Sequence, residues 1–350
     1  MTLLLDNDDV RRVLRMDEAI EALDAAFRDY AAGDAVNRPR SHTYTDLGGG
    51  RHYLLKTMDG SLPRHGVHAL RVTSDLTHEH TRRGRRRRDK IAAAPGERYV
   101  GFVLLFDITT LVPLALVHDG FLQRVRVGAT SALAASRLAR SGTRTAGVIG
   151  AGWQAGAQVD GLREVFELDE VRVYAPTRAR LEAFCESHGA TPAGSAREAL
   201  AGADVVAVAT NSYEPVLDGD WLEPGQHVGS VQGHELDGRT LERADLVVVR
   251  SREEATFHYA PGHAPAAASG RKRLDRVVSA SVVELGDVLT GAAGRRSGDA
   301  ITLFAGGGTG ASSGLGIQFC AVVHLVYEQA CAAGVGRELP TEWFTQQERP

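Results

Sequence analysis

The sequence predicts an α/β protein built on a Rossmann-type, doubly wound parallel sheet, and three observations carry that prediction. The stretch Ala146-Gly147-Val148-Ile149-Gly150-Ala151-Gly152-Trp153-Gln154-Ala155 reads as a short buried strand that runs into a glycine turn and then a helix. From Thr143 onward, strand and helix patterns alternate regularly. The strands there are runs of Val and Ala without period-two alternation, which is how strands covered on both faces read.

The turn is a G-x-G-x-x-A, and each position has a mechanical task. Gly150 permits the tight turn, Gly152 lets a pyrophosphate approach the backbone, and the small Ala155 lets the helix sit close on the strand. A dinucleotide is the ligand this geometry favours. Trp153 and Gln154 flank its place in the turn, and Thr210 and Asn211, at the end of a later strand, complete the set of candidate cofactor contacts. Strand 145–149 feeds helix 153–166, and strand 170–175 feeds helix 177–188. Residues 204–210, 227–231 and 245–250 are further apolar strands. Residues 282–289 predict a short helix, 301–304 a last strand and 317–333 a closing helix. The glycine run from Gly306 to Gly316 lacks the lysine and spacing of a triphosphate loop. It reads as a hinge or a close-packed helix start, in preference to a second phosphate cradle.

Ahead of this region, Val10, Val13 and Leu14 follow Asp8 and Asp9. Residues Ala19, Ile20, Leu23, Ala26, Phe27 and Tyr30 then recur at helical spacing up to Gly33, so two amphipathic helices are expected. Segments 37–45 and 51–56 predict two strands around the glycine turn 48–50, with a third at 67–73. Between Thr77 and Tyr99 the pattern dissolves into histidines, arginines and Lys90. Such a run is ordinarily a solvated, mobile loop; the alternative is a loop that closes over an anionic ligand, since arginine forks suit carboxylate and phosphate. The sequence does not separate the two. Segments 100–106 and 111–117 read as strands, and 124–129 leads into a small-residue helix at 130–140.

At 350 residues, with 43% hydrophobic and 24% charged residues, the chain suits two ordinary soluble domains. A formal net charge of -4 argues against a general nucleic-acid binder. Cys185, Cys320 and Cys331 are odd in number and widely spaced, so neither a disulfide framework nor a zinc site is indicated, and a reducing, cytoplasmic setting is expected. The apolar start at Leu3 to Leu5 runs at once into Asp6, Asp8 and Asp9 with no basic segment before it, unlike a signal peptide. No apolar stretch approaches the roughly 18 residues needed to cross a bilayer, so no membrane role is expected.

An NAD site usually places an acid at the end of the second strand of such a fold, where it accepts the ribose hydroxyls. Here Val173-Tyr174 is followed by Ala175-Pro176-Thr177-Arg178. Thr177 and Arg178 offer a hydroxyl and a cation where a 2′-phosphate would sit, so NADP is favoured, with NAD possible. The alternative is that Thr177 caps the following helix and Arg178 faces water.

Taken together, several features resemble the ornithine cyclodeaminase/mu-crystallin family over nearly the whole chain. They are the N-terminal helix pair, Pro39-Arg40, the segment Gln123 to Ala135, the turn Val148 to Ala155 and Arg172-Val173-Tyr174. Pro224 to Val228 with Glu235-Leu236-Asp237, Glu284 to Val288 and the glycine-rich start of the last helix complete the set. The resemblance implies a discontinuous α+β domain that binds substrate and forms a dimer, made of residues 1–125 and a C-terminal return at 311–350. It implies an NAD(P)-binding domain at 126–310 between them. It also implies chemistry at the carbon–nitrogen bond beside a carboxylate, in which hydride moves between nicotinamide and an α-imino carbon of a small amino or imino acid.

Carried over by position, the resemblance makes Arg40 the arginine that forks onto the substrate carboxylate and Arg126 the one beside substrate and cofactor, with Arg71 close by. Two departures stand out. Where the family often has a lysine, this chain has His68, with Lys56 just upstream. Where cyclodeaminases have an aspartate after the strand at 227–231, counting from His227 reaches His234, so ornithine cyclisation becomes doubtful and Glu235 and Asp237 read as a helix-start feature. The proton can then be handled by Lys56, His68 or His234. An imine reductase or amino-acid dehydrogenase is expected first. A redox-neutral cyclodeaminase and a non-catalytic binder of NADP and a small ligand are the alternatives.

Overall fold

The computed structural model describes residues 1–82, 85–212, 214–252, 255–262, 266–269, 282–305 and 314–346. The glycine run at 306–313 lies outside the described residues. The chain forms two compact units: Met1–Gln123, Ala255–Ala268 and Gly314–Pro350 make the first, and Arg124–Glu254 with Ser269–Ser313 the second. The segment 255–268 therefore joins the first unit, not the nucleotide-binding stretch 126–310 expected from sequence. Its strand Ala255–Tyr259 pairs in parallel with Arg40–Asp46, a partner more than 200 residues away.

Among the described residues, the first unit is an 11-stranded mixed sheet. Its centre is the antiparallel run Arg40–Asp46, Arg51–Leu62, Val67–Arg82 and Val100–Asp107. The helices Met16–Ala32 and Gly316–Ala333 belong to the same unit, and the approach of the latter to the sheet is very close. A Cβ on Gly316 would lie 1.8 Å from the Asp59 carbonyl oxygen, so no other residue fits there. Apolar residues on one face of the sheet, Leu54, Met58, Ala69, Val103 and Leu105, are buried. The opposite face, with Leu70, Val72, Phe102, Leu104 and Phe106, is half-buried.

One expectation changes here, and one strand adds to those expected. Among the described residues, the stretch after Thr77 is strand as far as Ile91: Val67–Arg82 continues through it and Arg85–Ile91 pairs back on it, with Thr77 opposite Lys90 and His78 opposite Asp89, and only 92–99 stays outside regular strands. Period-two reading failed because the sequence from Thr77 to Lys90 has no apolar residue but Gly84, and so no apolar alternation. The apolar start Thr2–Leu5 is a strand, which pairs in parallel with Pro113–His118 and antiparallel with Arg337–Leu339.

Among the described residues, the second unit is an eight-stranded parallel sheet. In spatial order its strands are Thr191–Pro192, Glu170–Tyr174, Thr145–Ile149, Val205–Val208, His227–Ser230, Thr302–Ala305, Leu246–Val249 and Val282–Glu284. The chain order reverses between Thr145–Ile149 and Val205–Val208, the switch point at which a doubly wound sheet opens a crevice for ligand. Two buried clusters cover its faces. One brings Val148 against Val159, Leu162, Leu181 and Phe184 of helices Trp153–Val165 and Arg178–His188. The other brings Ile149 and Val206 against Leu200 and Leu241.

Local departures are small. Helix Asp119–Leu138 is continuous and begins ahead of the predicted 130–140. Segment 282–289 splits into strand Val282–Glu284 and helix Leu285–Leu289, because Glu284 caps the helix reciprocally with Asp287.

Candidate active site

In the second unit the turn after strand Thr145–Ile149 has the geometry a pyrophosphate needs. Gly150 takes φ +121°, and a Cβ there would come within 2.1 Å of the Ala209 carbonyl oxygen, so both backbone sign and space demand glycine. Gly152 is different: it is extended at φ -111° and has nothing within 4 Å of a built Cβ. It heads helix Trp153–Val165, whose first N–H groups receive no side-chain cap. An uncapped helix start behind an open glycine is an anion site, and it fits the dinucleotide. Ala155 is buried under the strand, Gln154 is half-buried, and Trp153 is 56% exposed beside the turn.

At the end of the neighbouring strand Glu170–Tyr174, Thr177 precedes helix Arg178–His188 but makes no capping hydrogen bond with its side chain. Arg178 donates from Nε to Glu182 at 2.6 Å, and both side chains are exposed. An exposed pair of this kind is weak and exchangeable.

The most heavily bonded acid near this edge is Glu235, which the sequence did not single out as buried. It sits at the end of the short turn Gly233–Glu235 and is 0% exposed. Its carboxylate accepts from the Thr210 hydroxyl at 2.7 Å and the Thr210 N–H, from the Gln232 N–H at 2.9 Å and from the Ser230 hydroxyl at 3.2 Å. Burial pushes its pKa up to about 7, with the hydrogen bonds from Thr210, Gln232 and Ser230 opposing. Thr210 thus commits both of its donors to Glu235, while Asn211 beside it is exposed. Asp237 is the helix-start residue expected: it accepts from the Thr240 N–H and hydroxyl, both at 2.7 Å. His234 is half-buried on the same short turn as Glu235. A weak signal existed in the sequence, since apolar Leu236 follows Glu235 and Val231 lies four residues before it; its partner Thr210 is 25 residues away and could not be read locally.

Arg126 is 1% exposed, so it is not a surface arginine. It lines a small pocket within the second unit with Thr130, Ser131, Ser230, Arg250 and Phe304.

In the first unit, strand register decides which residues share a face. Met58 stands opposite Arg71, Ser41 opposite Thr57, and His42 opposite Lys56. Alternation therefore puts Arg40, His42, Lys56, Arg71, Thr73 and Asp75 on one face. Arg40, Arg71 and Asp75 are buried there. Arg71 is fixed: Nε donates to Asp119 at 2.6 Å, Nη2 reaches Asp119 at 2.5 Å and Gln123, and the guanidinium lies 4.6 Å from the Phe319 ring centroid. Lys56 Nζ is 2.8 Å from Asp75. Burial lowers the Lys56 pKa, against the attraction of Asp75.

His68 is three residues from Arg71 on the same strand and so faces the other way. Its Nε2 lies 3.6 Å from Asp59. Lys56 and His68, named as alternative proton carriers, therefore lie on opposite faces of one sheet.

Comparison with known proteins agrees with the fold. A family model described as the ornithine cyclodeaminase/mu-crystallin family matches residues 1–334. The chain is 29% identical over 362 residues to an alanine dehydrogenase of Archaeoglobus fulgidus, covering 97% of this chain and 98% of that protein. It is 32% identical over 254 residues to a Delta(1)-pyrroline-2-carboxylate reductase of Bacillus cereus, covering 68% of this chain and 74% of that one. Among solved structures it is similar to the Thermococcus litoralis Delta(1)-pyrroline-2-carboxylate reductase in complex with NADH and L-proline. The identity is 27% and the TM-score 0.75, over 97% of this chain and 100% of that one. An archaeal alanine dehydrogenase dimer with bound NAD gives 28% identity and a TM-score of 0.75, over 97% and 99% of the two chains. With an all-parallel sheet carrying a dinucleotide turn, a second mixed-sheet domain and a family match over most of its length, the chain belongs to the ornithine cyclodeaminase/mu-crystallin family.

Proposed function

We propose that the protein is an NAD(P)-dependent oxidoreductase acting at the carbon–nitrogen bond of a small α-amino or α-imino carboxylate, as an imine reductase or amino-acid dehydrogenase. The observation that carries this reading is the open, uncapped helix start at Gly152 behind a positive-φ Gly150. Its relatives include an alanine dehydrogenase and a Delta(1)-pyrroline-2-carboxylate reductase, both of which act at such a bond. When bound, the nicotinamide supplies or accepts the hydride.

The chain's own residues do the rest. Arg40, a buried guanidinium in the first unit, grips the substrate carboxylate; Arg126, buried in the second, is the arginine expected beside the cofactor. Lys56 carries the proton that the imine nitrogen needs before its carbon accepts hydride, and takes it back in the oxidative direction. His234 is the second proton carrier to be tested. Gly150, Gly152, Trp153, Gln154, Ala155, Thr210 and Asn211 form the cofactor's surroundings. Thr177 and Arg178 favour NADP over NAD, because no acid stands at the end of strand Glu170–Tyr174 and the Thr177 side chain makes no capping bond.

The half-buried apolar face of the first unit, with Leu70, Val72, Phe102, Leu104 and Phe106, supports a homodimer. The test is absorbance at 340 nm with NADPH and NADH against Delta(1)-pyrroline-2-carboxylate and against pyruvate with ammonia. Consumption of reduced nucleotide supports the proposal. Ammonia release from ornithine without net absorbance change would replace it with cyclodeamination.

A further inference from the structure

The chain has three lysines among its 40 basic residues, and two of them meet one buried carboxylate. Asp75, in strand Val67–Arg82, is 4% exposed. Lys56 Nζ approaches one of its oxygens at 2.8 Å and Lys90 Nζ the other at 2.6 Å. Lys56 comes from the strand on one side and Lys90 from the returning arm Arg85–Ile91 on the other. Lys90 also lies 4.7 Å from the Tyr99 ring centroid, which holds it over the sheet face. In a chain this rich in arginine, lysine at both contacts selects compact ammonium groups that can give up a proton, which a guanidinium cannot.

We infer that Asp75 is a positioning residue for the proposed proton transfer: it fixes the Lys56 ammonium on the face shared with Arg40, and Lys90 of the arm tempers its grip. This rests on the reading of Lys56 as proton carrier. The step balances simply: the Lys56 N–H bond breaks, the proton goes to the imine nitrogen, and Lys56 is left neutral until it regains a proton from water. The charged or titratable groups on the face of Lys56 are Arg40, His42 and Tyr44 on strand Arg40–Asp46, His258 on the neighbouring Ala255–Tyr259, Arg71 and Asp75 on Val67–Arg82, Asp119 paired with Arg71, and Lys90 on the arm. Asp75 is the anion in direct contact with it. Removing Asp75 leaves cations around Lys56, so its proton is held less firmly; removing Lys90 leaves Asp75 to Lys56 alone, so the proton is held more firmly.

The experiment uses the full chain with its lysines reductively methylated with 13C-formaldehyde, giving three side-chain signals that single-lysine variants assign. The carbon shift of the Lys56 signal is followed against pH in wild type, Asp75→Asn and Lys90→Met. The expected result is opposite displacement: the Lys56 titration moves down by about one pH unit or more in Asp75→Asn and upward in Lys90→Met. In unmethylated protein the Lys56-dependent limb of kcat against pH, read with NADPH and Delta(1)-pyrroline-2-carboxylate, moves in the same two directions. Displacement in one direction in both variants, or none in either, overturns the inference. Should Asp75→Asn not fold, the upward displacement in Lys90→Met decides alone. If the titration moves as expected while Lys56→Gln retains full activity, the positioning geometry stands and the assignment of Lys56 as proton carrier fails.

Discussion

Glu235 takes both donors of Thr210, its hydroxyl at 2.7 Å and its backbone N–H. One buried side chain thereby ties the ends of the adjacent parallel strands Val205–Val208 and His227–Ser230, at the edge where a doubly wound sheet receives its ligand. The same strand His227–Ser230 begins with a buried histidine that titrates in the opposite sense, and the pair makes a test of stability against pH.

Glu235 is raised by burial from 4.5 to about 7. The unfolded chain releases that proton near 4.5 while the folded chain keeps it, so this group's contribution is full below 4.5 and is lost as pH rises to about 7, at most about 3 kcal/mol. His227 is lowered by burial from 6.5 to about 3, with Arg295 adding to the effect. Its Nδ1 donates to Thr302 Oγ1 at 2.9 Å, because that hydroxyl donates onward to the Leu138 carbonyl. Its contribution is therefore full above 6.5 and is lost as pH falls toward 3. Between 4.5 and 6.5 the two slopes oppose. The expected outcome is that wild type minus Glu235→Gln stability, from urea unfolding at pH 5, 6 and 7, decreases with pH by about 1.4 kcal/mol per unit. A difference that stays constant over those three pH values would contradict the raised acid.

The two glycines of the turn should fail in different ways. Gly152→Val can keep the same extended backbone, and a Cβ there has no atom within 4 Å, so the thermal midpoint should hold within about 2 °C. NADH binding, followed by quenching of the exposed Trp153, should weaken by about a hundredfold because the side chain fills the pyrophosphate approach. Gly150→Ala should instead lose stability directly, through left-handed strain and the Ala209 carbonyl. Equal losses of stability in both would mean that Gly152 serves packing and not ligand.

Much of this was legible in the sequence for a local reason: the spacing of Gly150, Gly152 and Ala155 is itself the chemistry, and strands covered on both faces leave apolar runs such as Val205–Val208. What escaped is what distant partners decide. Thr2–Leu5 is four residues long, and its partner Pro113–His118 lies over a hundred residues away. Strand Ala255–Tyr259 joins the first unit's sheet, against Arg40–Asp46, for the same reason. The arm Thr77 to Ile91 pairs through its backbone with polar residues on both sides, so no hydrophobic period marks it. Within the candidate site, the sequence named Lys56, His68 or His234 for the proton, and only strand parity puts His68 on the face opposite Lys56 and Arg71.

Cofactor choice turns on Arg178. Its pair with Glu182 is exposed on both sides, so little is lost when the guanidinium swings to a 2′-phosphate. Arg178→Glu should weaken NADPH at least about tenfold and leave NADH within about threefold, measured as Kd for each by fluorescence titration. Parallel loss for both nucleotides would place Arg178 at the shared part of the cofactor, and no change for either would leave it a surface residue.

The two faces of the central sheet give the sharpest division among the proton candidates. Lys56 shares its face with Arg40 and contacts a buried acid, while His68 looks to the half-buried apolar side and meets Asp59. Lys56→Gln should lower kcat by about a hundredfold or more, the range in which a positioned acid or base contributes, with KM for nucleotide unchanged. His68→Gln should leave kcat within about twofold, and any effect it has should appear in the dissociation constant of the proposed dimer, read by sedimentation at several protein concentrations. Were His68→Gln the variant that lost turnover while remaining dimeric, the face assignment would have the chemistry on the wrong side of the sheet.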